Sequence, residues 1–77
     1  MASVFYKELG ALLRDARKSA SLTQQDIADR LRVSRTTVAS WEIGRRVIYA
    51  DDLMKYCDAL NLDINDVIAK VRKYVYK

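Results

Sequence analysis

Arg35, Thr36 and Ser40 place one guanidinium and two short hydroxyls in the stretch Val33 to Glu42, where the apolar Val38 and Trp41 stand three residues apart. At about 100° per residue in a helix, Val38 and Trp41 point one way, and Arg35, Thr36, Ala39 and Ser40 point roughly the other. An ordinary solvated face would carry Glu and Lys, which are good helix formers. This one carries hydroxyls, methyls and a single long cation, a set suited to hydrogen bonding at close range with a second polar surface.

Catalytic chemistry finds little to work with. The chain has no histidine and one cysteine, Cys57, so it offers no zinc or iron site, no intramolecular disulfide and no base to activate the thiol. There is no glycine-rich phosphate loop and no evident carboxylate pair, so the expectation is a protein that is not an enzyme and needs no cofactor or metal. Cys57 reads as a small buried hydrophobe.

Charge is segregated along the chain. Residues 1–29 balance four basic against four acidic groups, whereas Arg30 to Arg46 holds five arginines against Glu42 alone. Residues 47–69 then hold five aspartates against Lys55, and 70–77 add Lys70, Arg72, Lys73 and Lys77. A basic block centred on the short helix suggests a face held toward a polyanion. The formal charge of +4 alone would fit a solvated basic surface equally well.

The elements that must position these groups are helices. With 77 residues, 51% of them hydrophobic, and no proline, the chain reads as one small domain burying roughly 60% of its unfolded surface. Phe5, Leu9, Leu12, Leu13 and Ala16 form the stripe of a first helix, about Ser3 to Ser19. A second runs from about Gln24 to Leu31, with Thr23 as cap, Asp26 as its capping-box partner, and an Asp26–Arg30 pair outside. Ser34 caps a third helix starting at Arg35, and Gly44 supplies a left-handed stop. A fourth, about Ala50 to Leu60, carries Leu53, Met54, Cys57 and Leu60. A fifth follows Asp63 with Ile64, Val67, Ile68, Val71, then Tyr74 or Val75. No run approaches the roughly 18 apolar residues of a membrane span, and "MASVFYKELG" lacks the features of a signal peptide, so a soluble cytoplasmic protein is expected.

Two short helices joined by about three residues form a helix-turn-helix, and a helix with short outward side chains fits the DNA major groove, about 12 Å wide. Thr and Ser can bond base edges or phosphates, methyls can meet thymine, and Arg can bridge guanine O6 and N7. The run "LGALLRDARKSASLTQQDIADRLRVSRTTVASWEIGRR", continuing through "LMKYCDALNLDINDVI", resembles the phage repressor and Cro (Xre) family. Its most specific parts are Leu22-Thr23-Gln24, Val33-Ser34, and Trp41-Glu42 followed by Gly44-Arg45-Arg46. The resemblance implies an all-α, five-helix repressor-like domain. It implies base contacts at Arg35, Thr36 and Ser40, with Gln24, Thr37, Arg45 and Arg46 near the DNA backbone. It also points to an ion pair between Arg17 and Glu42, which gives a carboxylate in a basic segment the cationic partner it needs. Two departures concern the backbone: Ser21 and Arg32 stand where the family has glycines, and Ile48-Tyr49 replaces the usual proline and capping serine.

The resemblance does not explain the tail "VIAKVRKYVYK". Val67, Val71, Tyr74 and Val75 continue a stripe, and residues 69–77 read as a helical tail that pairs two copies through it. The alternative is a tail folded back over Phe5 and Leu12 of helix one. The functional expectation is a dimeric, sequence-specific regulator on a two-fold double-stranded DNA operator. A protein-interaction module such as an antitoxin, which would bind a partner protein, explains an exposed apolar tail but not the basic block.

Overall fold

In the computed structural model, which describes residues 3–76, five helices follow one another: α1 Val4–Ser19, α2 Gln24–Leu31, α3 Arg35–Glu42, α4 Ala50–Ala59 and α5 Ile64–Val75. Their starts follow side-chain chemistry. Ser3, Thr23, Ser34 and Asp63 each accept a backbone N–H of the helix that follows. Thr23 and Asp26 form a reciprocal box, with Asp26 N donating to Thr23 Oγ1 at 3.0 Å and Thr23 N to Asp26 Oδ2 at 2.8 Å. Those bonds hold the Asp26 carboxyl below its ordinary pKa. Arg30 does not pair with Asp26 as expected. Its Nη1 donates to the carbonyl of Ala59 at 3.0 Å, one of the free carbonyls at the end of α4, where a cation is favoured.

Tyr49 starts α4 without a side-chain cap, and Ile48 just before it is 4% exposed. Burial of Ile48 thus anchors the start of α4 where no cap does.

α1 lies between α3 and α5, and α2 packs on α3 and α4. The core between them collects Leu9, Leu13, Ile27, Val38, Trp41, Leu53, Tyr56 and the α5 residues Val67 and Val71. Cys57 is buried there too, and burial pushes its thiol pKa up. The α1–α3 crossing is close enough that a Cβ on Gly10 would fall 2.3 Å from the carbonyl oxygen of Trp41 and 2.6 Å from that of Glu42. Only glycine fits there, because both obstacles are backbone.

The expected stripe of α4 is off by one position. Met54 is 53% exposed, and Tyr56 is fully buried instead. The tail is corrected more deeply. Val67 and Val71 are 3% and 0% exposed inside the chain's own core, and Val75 packs against it, so this stripe is not open to a second copy. Tyr74, at 66% exposure, is the one member of the set that faces solvent. The reason is geometric: α5 lies along α1, as the alternative of a tail folded back over helix one has it. Among the described residues no helix is long and apolar enough to cross a membrane.

Candidate nucleic-acid interface

The turn joining α2 to α3 is Arg32-Val33-Ser34, and it is tight because Arg32 adopts the left-handed conformation, φ 56°, ψ 45°. The Val33 N–H then reaches back to the Ala28 carbonyl at 3.0 Å. Ser34 closes the turn, its Oγ accepting the Thr37 N–H at 3.0 Å. The N-termini of α2 and α3 each present the partial positive charge of their free N–H groups.

Two hydrogen-bonded side-chain sets are built on α3. Glu42, 3% exposed at the end of α3, accepts Arg17 Nε on Oε2 at 2.8 Å and Arg17 Nη2 on Oε1 at 2.9 Å. The Tyr56 hydroxyl donates to Oε2 at 2.6 Å, and Gln24 Nε2 donates to Oε1 at 3.1 Å. One carboxylate so joins four helices. Because it only accepts, it turns the Gln24 amide so that the carbonyl Oε1 points away, and there it meets Arg35 Nη1 at 3.5 Å. In the second set, Thr37 Oγ1 shares a 2.8 Å hydrogen bond with Ser34 Oγ and accepts Arg46 Nη1 at 3.3 Å. Arg46 can lie over the start of α3 because the backbone turns at Gly44, φ 73°, and the N–H groups of Arg45 and Arg46 both bond the Ser40 carbonyl.

Electrostatics follow this wiring. Burial pushes the Glu42 pKa up, but the hydrogen bonds from Arg17, Tyr56 and Gln24 and the charge of Arg17 outweigh it, so the net shift is downward. The same contacts raise Arg17, chiefly through its bond to Glu42. Tyr56 is raised well above its ordinary value, by burial first and then by its bond to the carboxylate. Among the described residues no buried side-chain polar atom lacks a hydrogen-bond partner. With Glu42 neutralised internally, Arg35, Arg45 and Arg46 are left as exposed cations around α3.

Of the residues singled out in the sequence, Arg35 and Thr36 are exposed on α3, while Ser40 and Ala39 are half-buried. Gln24 and Thr37 are also half-buried, each in a hydrogen-bonded set. Arg35 and Gln24 come together, as do Thr37 and Arg46. The sequence reading missed Tyr56. Its signal was present in the spacing Leu53, Tyr56, Cys57, Leu60, and in the need of a buried carboxylate for more donors than one arginine supplies.

This arrangement can be set beside known proteins. The helix-turn-helix domain family matches residues 8–68. The ImmF control region 10 kDa protein of Bacillus phage phi105 is 39% identical over 59 residues, which are 77% of this chain and 66% of that protein, so the chain spans just under two thirds of its relative. The clp gene regulator ClgR of Corynebacterium glutamicum superposes with a TM-score of 0.84 at 28% identity, covering 92% of each chain. A variant of the restriction-modification controller C.Esp1396I, solved bound to its highest affinity operator site, shares the fold with a TM-score of 0.81 at 19% identity, over 97% of this chain and 99% of that one. The chain belongs to the helix-turn-helix domain family, of the phage repressor and Cro (Xre) type.

Proposed function

We propose that the protein is a transcriptional regulator that binds double-stranded DNA sequence-specifically, as a homodimer on a two-fold operator. The observation that carries the reading is the pair of side-chain contacts built on α3, Arg35 with Gln24 at 3.5 Å and Arg46 with Thr37 at 3.3 Å. Arg35 and Thr36, exposed on α3, would meet base edges, and Ser40, less exposed, would be reached only by a close base or phosphate. Gln24, Thr37, Arg45 and Arg46 would hold phosphates and set the register. The phage control-region relative and the operator-bound controller support a regulatory role of this kind, and repression in the cytoplasm is the form we favour.

Selection of bound duplexes from a random library tests it. Two inverted half-sites one helical turn apart, about 34 Å, are expected. Binding without any enriched motif, or without dependence on salt, would overturn the reading.

A further inference from the structure

Glu42 is 3% exposed, too deep to touch DNA itself, yet one of its hydrogen bonds runs to a residue that the proposed function puts at the DNA. Its two oxygens divide their donors. Oε2 accepts Arg17 Nε at 2.8 Å and the Tyr56 hydroxyl at 2.6 Å, while Oε1 accepts Arg17 Nη2 at 2.9 Å and Gln24 Nε2 at 3.1 Å. Arg17 and Tyr56 serve the interior. Gln24 is half-buried, and the far end of its amide meets Arg35, which is exposed on α3.

Charge fixes which way that amide faces. With Nε2 on the carboxylate and Oε1 on the guanidinium, each end of Gln24 meets its complement. Turned over, the amide would set its oxygen against a carboxylate and its N–H groups against an arginine, and both contacts would be repulsive. The Arg35 side chain makes no other hydrogen bond among the described residues, so this oxygen is the one polar group that holds it. Held at Nη1, the planar guanidinium keeps N–H groups free for the two-point contact with guanine O6 and N7. The second N–H of the Gln24 amide stays free for a phosphate.

We propose that buried Glu42 is a positioning residue for base readout: by accepting Gln24 Nε2 it fixes the Gln24 amide, which in turn places Arg35 on its base pair. The inference rests on the reading of α3 as the helix that meets base edges. It gives the Oε1 side of the carboxylate a role in specificity, distinct from the role in stability of the Oε2 side with Tyr56.

Glu42→Gln separates the two roles. Arg17 Nε and the Tyr56 hydroxyl both donate at the Oε2 position, so the carbonyl of the new amide belongs there and its NH2 takes the Oε1 position. Gln24 must then turn its oxygen inward and its N–H groups onto Arg35. Competition binding over all four bases, under conditions where circular dichroism shows the variant folded, should find preference at the base pair that Arg35 reads lowered about tenfold, within the range of one two-point contact. In a Gln24→Ala background the same substitution should change that preference no further. Tyr56→Phe, which loses a bond at Oε2 only, should lower stability and leave the preference profile as it is. A wild-type profile for Glu42→Gln, an equal loss in the Gln24→Ala background, or an equal loss from Tyr56→Phe would overturn the inference. Should Glu42→Gln not fold, NMR of the wild-type Gln24 side-chain amide decides: one of its two protons should be shifted and protected from exchange, and the other should shift only when duplex is added. Two equally unprotected protons would overturn the inference. A wild-type protein without any base preference sinks the proposed function itself, whereas these outcomes sink only the part given to Glu42.

Discussion

Arg17 and Glu42, twenty-five residues apart in sequence, meet through two parallel hydrogen bonds of 2.8 and 2.9 Å, both side chains almost wholly buried. The guanidinium also donates Nη1 to the Leu22 carbonyl at 2.8 Å, so it ties the end of α1 to the segment entering α2. Removing either partner leaves the other charge buried and uncompensated. Arg17→Met is expected to cost about 3 to 5 kcal/mol of stability. Arg17→Lys should recover only part of this, because an ammonium cannot make the two-point contact. A double-mutant cycle with Glu42→Gln in urea unfolding measures the coupling, and independence of the two changes would show that the pair contributes nothing.

The same node sets two pH limits. The Glu42 pKa is lower folded than unfolded, so its contribution is fully present above the ordinary carboxyl value, about 4.3, and is lost as pH falls through the depressed folded value. The Tyr56 pKa is raised in the fold, so its contribution is complete below about 10 and declines as pH rises beyond it, where the unfolded chain ionises first. Thermal midpoints across pH should fall at both ends. Tyr56→Phe should flatten the alkaline limb while lowering stability at neutral pH, and an unchanged alkaline limb would reject the assignment.

The backbone departures give a third expectation. Ser21 and Arg32 both adopt positive φ, 59° and 56°, where a Cβ costs roughly 1 to 2 kcal/mol. Ser21→Gly and Arg32→Gly should each raise stability by about 1 kcal/mol, offset in part by the greater freedom of glycine in the unfolded chain. The sites share no hydrogen-bond set, so their effects should add. Chemical denaturation of the two single variants and the double variant checks both statements.

Much of the architecture was legible because it is written in short-range chemistry. Thr23 with Asp26, Ser34 with Thr37 and Gly44 after Glu42 mark their helix ends by residue type alone, and the observed bounds of α2 and α3 match the expected ones. What the sequence hid are choices made by partners distant in the chain. Arg30 prefers the Ala59 carbonyl to Asp26, four residues away, and Tyr56 displaces Met54 from the core because its hydroxyl completes the shell of Glu42. The stripe on α5 was read correctly as apolar, but periodicity cannot say whether α1 or a second copy covers it. The close approach of Gly10 to the carbonyls of Trp41 and Glu42 is equally invisible before the helices are placed.

Base readout by Arg35 should depend on Gln24. Arg35→Ala is expected to cost about 1 to 3 kcal/mol on the preferred duplex and to relax preference at one base pair per half-site. Gln24→Ala would remove the proposed phosphate contact together with the oxygen that meets Arg35 Nη1, so preference at that base pair should loosen as well. Competition binding over all four bases at each position, with the double variant, separates the effects. Strict additivity would place the two residues on independent contacts.

Truncation after Ala69 tests which partner α5 serves first. The cut removes Val71, fully buried against the core, together with Val75 and the last turns of the helix that lies along α1. Leu9, Leu13 and Phe5 would lose part of their cover, and losing one buried branched side chain costs about 2 kcal/mol before the cavity left behind is counted. A domain this size holds only about 5 to 10 kcal/mol in reserve, so the shortened chain should be largely unfolded, or melt far below the full one. Circular dichroism with sedimentation distinguishes the alternatives. A shortened chain that stays folded at nearly the full melting temperature would show that the end of α5 adds little to the monomer core and would return Val71 and Val75 to the role of an interface.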